Sequence, residues 1–116
     1  MGDISEHFDR EEFACKCGCG FDTVDVELIE VLEKVRCYFD VPVTISSACR
    51  CESHNLNVGG GLKSQHLLGR AADINANLIP PEEVQEFLKS QYPDSLGIGC
   101  YSNFTHVDTR KGKARW

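Results

Sequence analysis

Apolar residues recur at helical spacing in one long stretch of the chain. Leu28, Leu32, Val35 and Phe39 form a stripe between about Val24 and Phe39, and Glu27, Glu30, Glu33, Lys34 and Arg36 fill the opposite side. The pattern predicts an amphipathic helix there, with Asp22 or Thr23 as its cap. Asp40 to Pro42 breaks it. Four later runs read as strands: 42–48, rich in β-branched residues, then 71–76, 96–101 and 104–109. The link at Ser102-Asn103 is short enough for a hairpin. Pro80-Pro81-Glu82-Glu83 opens a second helix, expected to reach Ser90 and stop before Pro93. A short helical turn is expected around Glu52 to Val58, a loop at Gly59-Gly60-Gly61, and an irregular, tightly turning segment from Phe8 to Phe21. The sum is one α+β domain over residues 1–116, a small, mostly antiparallel sheet with flanking helices.

Composition narrows the class. A chain of 116 residues has room for one core. Its net charge is −6, with the acids concentrated in residues 1–40. An acidic chain without a basic stripe excludes nucleic acid as the expected partner. The basic run from Arg110 to Arg115 reads as a solvated terminus. No apolar run is long enough to span a bilayer, so no membrane partner is expected. Met1 to His7 is polar and acidic and lacks the basic and apolar regions of a secretory signal. The chain is therefore expected to be cytoplasmic as synthesised, unless it has been trimmed, and a monomer.

Two stretches carry chemistry: Ser64-Gln65-His66-Leu67-Leu68-Gly69-Arg70-Ala71-Ala72-Asp73 and Phe104-Thr105-His106-Val107-Asp108. Imidazole nitrogen and carboxylate oxygen suit zinc, and a catalytic zinc takes three protein ligands. His66, Asp73 and His106 are candidates for those three. A turn at Gly69, where glycine tolerates backbone angles other residues resist, would bring His66 and Asp73 together. Asp108, two residues beyond His106, would face the same side of a strand. Spacing alone leaves the alternative open that these are ordinary surface or hydrogen-bonded residues.

These motifs, Ser64-x-His66-x-x-Gly69-x-Ala71-x-Asp73 and His106-x-Asp108, resemble the signature of the zinc D-Ala-D-Ala carboxypeptidase family, which includes peptidoglycan endopeptidases and phage endolysins. Ser47-Ala48-Cys49-Arg50 and His54-Asn55 resemble the family's upstream arginine segment. The resemblance runs from about Phe8 to the C-terminus and implies the fold shared by these peptidases and the hedgehog signalling domain. It implies that His66, Asp73 and His106 bind Zn2+ and that Arg50 steadies the substrate's carbonyl or carboxylate. The implied substrate is a stem-peptide or cross-link bond of peptidoglycan, reached after release from a phage-infected or bacterial cytoplasm. Ser64 is expected to bind substrate or hold its loop. Many family members carry an acidic general base three residues before the last histidine ligand. Here that position is Asn103, which cannot accept a proton. Asp108 is the nearest acidic substitute, expected either as the catalytic base or as the group that orients a ligand histidine. Glu52 is a further acidic candidate beside Arg50.

Seven cysteines, an odd number, remain. Cys17, Cys19, Cys49 and Cys51 form two Cys-x-Cys pairs, shorter than the usual structural-zinc spacing. Packing as small hydrophobes, or a disulfide formed after release, is the expectation over a second metal. Two other function classes stay open: a cysteine hydrolase using Cys51 or Cys49 with His54, and a non-catalytic zinc domain that binds cell wall or protein.

Overall fold

The four strand candidates form the body of a five-stranded sheet whose two faces differ. The computed structural model describes residues 5–16, 24–48, 50–51, 55, 58, 66 and 69–116. Helix α1 spans Val26–Phe39, strand β1 Val43–Ser47, β2 Ala71–Ala76, helix α2 Pro81–Gln91, β3 Leu96–Cys100, β4 Thr105–Asp108 and β5 Lys113–Arg115. A short 3-10 turn, Arg10–Phe13, precedes α1. The sheet order is β1-β2-β4-β3-β5, antiparallel except for the parallel pair β3/β5. The α+β class and the mostly antiparallel sheet agree with the sequence.

Register fixes which residues share a face. Ala72 lies opposite Val107, and Val107 opposite Ile98; Ile45 lies opposite Ile74. This face is packed by Leu28, Val31, Leu32 and Val35 of α1 and by Val84 and Leu88 of α2. Phe8 and Phe13 from the N-terminal segment complete the same core, their rings edge to face. Burying each such side chain contributes about 1.5–3 kcal/mol. On α1, Leu28, Leu32 and Val35 are buried as the stripe predicts, Val31 joins them, and Phe39 is only half-buried.

The ends of the elements have local causes. Helix α1 begins two residues later than its periodicity suggests, because Asp25 is extended. Its backbone N–H is held by the Gly69 carbonyl, and its carboxylate accepts a hydrogen bond from Thr109 Oγ1 at 2.7 Å. The predicted caps Asp22 and Thr23 lie outside the described residues, as do Gly59-Gly60-Gly61 and most of the helical turn expected around Glu52 to Val58. At its C-terminus α1 stops at Asp40, left-handed at φ 53°, whose N–H bonds to Arg36 O. Pro42 follows and cannot continue the helix.

One expectation is corrected. The basic run near the C-terminus is not a solvated tail: β5 pairs along β3, with Leu96 opposite Lys113 and Ile98 opposite Arg115. The Arg115 guanidinium donates to the carbonyls of Leu96, Ala114, Tyr92 and Ser95. A three-residue edge strand with one apolar residue carries no periodic signal. Its pairing is decided by the carbonyls exposed along β3, which are distant in sequence.

Candidate metal centre

The face of the sheet turned away from the helices carries a polar row. Ser47 of β1 lies opposite Asp73 of β2, Asp73 opposite His106 of β4, and His106 opposite Gly99 of β3. The next row runs from Ala71 through Asp108 to Gly97. A single residue step in β4 therefore separates core-facing Val107 from His106 and Asp108 on either side of it.

His66 reaches this row from the turn ahead of β2. Gly69 sits at φ 68°, in the left-handed region that favours glycine, and its N–H returns to the His66 carbonyl. The same carbonyl accepts the Arg50 N–H at 3.0 Å, and His66 Nδ1 is engaged by the Ala48 carbonyl. These bonds leave Nε2 to face Asp73 Oδ1 at 3.4 Å. His106 Nδ1 meets the same Oδ1 at 3.0 Å. All three side chains are buried. Their donor atoms lie within 4.8 Å of one another.

The set fits zinc by its chemistry. It offers two imidazole nitrogens and one carboxylate oxygen, and ligands about 2.0–2.1 Å from a tetrahedral zinc lie about 3.4 Å apart. Each imidazole also has its second nitrogen engaged, which fixes ring orientation and tautomer. For His66 the partner is the Ala48 carbonyl; for His106 it is Asp108, with Nε2 at 2.7 Å from Oδ2.

Asp108 is wholly buried, and both its oxygens are occupied. Arg110 forks onto it, Nε to Oδ1 and Nη2 to Oδ2, both at 2.7 Å, and the Arg110 backbone N–H adds a third bond to Oδ1. Burial alone would raise its pKa, but the hydrogen bonds from Arg110 and His106 outweigh that and hold the carboxyl well below the usual range. Asp73 behaves alike: burial opposes ionisation, the bonds from His106 and His66 prevail, and its pKa falls to about 2. For His106, burial disfavours the charged form, yet the flanking Asp108 and Asp73 carboxylates move its pKa upward.

Arg50 stands beside the cluster. Its Nε donates to Ser47 Oγ, Nη1 to Asn55 Oδ1, and Nη2 reaches Asp73 Oδ2 at 3.4 Å. Ser64, His54, Glu52, Cys17, Cys19 and Cys49 lie outside the described residues. Cys51 Sγ is 3.8 Å from Cys15 Sγ, and its backbone N–H points to that sulfur. Asn103 is at the exposed turn between β3 and β4.

Residue pattern alone did not mark Arg110, Trp116, Gly97 or Gly99 as parts of this site. The Trp116 ring lies 5.1 Å from the His106 ring and 5.0 Å from the Arg110 guanidinium carbon, and its Nε1 donates to Tyr101 Oη. A side chain at Gly97 would fall 2.4 Å from the Asp108 carboxylate, and one at Gly99 2.8 Å from the Trp116 indole. The Gly-x-Gly in a strand was the available signal, since glycine there marks close approach of another group.

The model of one protein family, Peptidase M15, matches residues 6–108, which include every strand of the polar row. The chain belongs to the Peptidase M15 family. The match ends at Asp108, so Arg110 and Trp116, which back the site, lie beyond it. No curated protein matches the chain. Among the described residues, no helix is long and apolar enough to cross a membrane.

Proposed function

We propose that this member of the M15 family is a zinc-dependent peptidase that hydrolyses peptide bonds in the stem or cross-link of peptidoglycan, as a D-Ala-D-Ala carboxypeptidase or endopeptidase. The observation that carries the reading is the convergence of His66, Asp73 and His106 on one buried point in a chain of this family. Zinc bound there would supply a Lewis acid that polarises the scissile carbonyl and acidifies water.

The chain's own residues have distinct tasks. His66, Asp73 and His106 hold the ion. Arg50, always charged and fixed by Ser47 and Asn55, places a donor fork beside Asp73 for the substrate's carbonyl or terminal carboxylate. Such a donor is useful where negative charge develops. Asp108 acts through His106: its oxygens are taken by Arg110 and by the far ring nitrogen, so it orients the ligand instead of receiving the proton of water. With Asn103 unable to serve, Glu52, next but one to Arg50, is our candidate for the proton acceptor.

The test is a digest of purified peptidoglycan read by mass spectrometry, before and after treatment with a chelator and after zinc is restored. Stem or cross-link fragments that vanish with the chelator and return with zinc are expected. If zinc-loaded protein releases no fragment, the chain is a zinc-binding domain without this activity.

A further inference from the structure

The geometry points to a second zinc site, independent of the peptidase reading, formed by His7, Glu33 and Cys37 where the N-terminal segment crosses helix α1. Their donor atoms, an imidazole nitrogen, a carboxylate oxygen and a thiol sulfur, all lie within 4.8 Å of one another.

The helix supplies two of the three. Glu33 and Cys37 are four residues apart, so their side chains neighbour each other on one side of α1. The third comes from a segment remote in sequence. Glu33 Oε2 accepts hydrogen bonds from Ser5 Oγ at 2.6 Å and from the His7 backbone N–H at 2.8 Å. These bonds hold the segment on the helix and leave Oε1 facing the His7 ring, with Nδ1 at 2.6 Å. The arrangement parallels the principal cluster, where His106 Nδ1 approaches Asp73 Oδ1 in the same way. Glu6 Oε2 lies 4.0 Å from His7 Nδ1 and adds negative charge beside the three donors.

The donor set selects the ion. A thiolate and an imidazole favour a borderline cation such as Zn2+ over Mg2+ or Ca2+, and one carboxylate is compatible with it. Binding replaces the His7–Glu33 hydrogen bond by two coordinate bonds and adds a third to Cys37. The proton between His7 Nδ1 and Glu33 moves through solvent, leaving the neutral ring protonated on Nε2, and the Cys37 thiol gives its proton to solvent. The ion would clamp residues 5–7 to α1, next to Phe8, which is wholly within the core. Cys37 itself is exposed, so the site exchanges its ion with solvent more freely than the buried cluster does.

That exposure gives a site-specific test. The full chain is treated with iodoacetamide with and without Zn2+, and alkylation of Cys37 is followed by peptide mass spectrometry. At zinc about ten times the dissociation constant, Cys37 alkylation should slow about ten-fold, since only the unliganded fraction reacts. His7→Ala and Glu33→Gln should each remove this protection, whereas His66→Ala, which disrupts only the principal cluster, should keep it. An unchanged Cys37 rate on adding zinc would overturn the site. So would protection that survives both His7→Ala and Glu33→Gln, or that disappears in His66→Ala.

Discussion

The two faces of the sheet are built from the same strands and obey different rules. Toward the helices, Ile74, Ile98 and Val107 are wholly buried among α1 and α2 side chains, and their worth is the apolar area they remove from water. On the other face, Asp73, His106 and Asp108 are nearly as buried, yet every one is charged or polar and engaged by a defined partner. Burial without pairing would cost several kcal/mol per ion. The polar face is therefore a connected chain of bonds, from Arg50 through Asp73, His106 and Asp108 to Arg110. The core face tolerates exchange of one apolar residue for another of similar volume. The polar face does not, because each atom's partner is specified.

The sharpest break of this contrast sets two neighbours on β4 against each other. His106→Ala should abolish tight zinc binding at the principal site and with it turnover, while the zinc-free protein stays folded, because Asp73 keeps His66 and Arg50 and Asp108 keeps the Arg110 fork. Val107→Ala should do the reverse, costing about 2 kcal/mol of stability through lost burial and a small cavity, with zinc binding intact in the folded protein. Metal analysis and denaturant unfolding of both variants check this. Equal effects of the two changes on zinc would mean that the faces are not separable.

Arg50→Ala should come next in size. Loss of one donor at a site of developing charge typically costs roughly two to three orders of magnitude in rate. Zinc content and unfolding midpoint should change little. A fall in stability matching the fall in activity would make Arg50 a structural ion pair with Asp73.

Asp108→Asn separates orientation from proton transfer. Zinc affinity should fall about 10–100-fold, as for other groups that orient a metal-binding histidine, and activity should return at saturating zinc. Activity that stays lost with the site fully loaded would identify Asp108 as the base. The mildest change is Gly97→Ala. Its methyl would press on the Asp108 carboxylate and on Arg110 Nε, 2.6 Å away, and displace the fork. A loss of zinc affinity of up to about tenfold is expected, measured by competition with a chromogenic chelator.

How much of this the sequence revealed depends on the range of the interactions. The α1 stripe, the strands and the hairpin at Ser102-Asn103 come from local periodicity, and they are where the pattern puts them. Strand β2 matches residue for residue. The juxtaposition of His66, Asp73 and His106 was legible because their spacing and residue types resemble a family signature, and the glycine turn at 69 supplies the local mechanism. Strand β5, the Arg110 fork and the Trp116 contact were not legible. Each depends on a partner set by sheet register, which a basic, aperiodic segment does not announce. The start of α1 was misjudged for the same reason: Asp25 is claimed by Gly69 and Thr109, both remote in sequence.

The central claim is that zinc sits on the polar face among His66, Asp73 and His106. Anomalous X-ray scattering from zinc-soaked crystals, recorded on both sides of the zinc absorption edge, tests it most directly. The account predicts the strongest edge-dependent peak at coordination distance from His66 Nε2, Asp73 Oδ1 and His106 Nδ1, about 2.0–2.2 Å from each. A structure with zinc only at cysteine sulfurs, and none among these three residues, would contradict it.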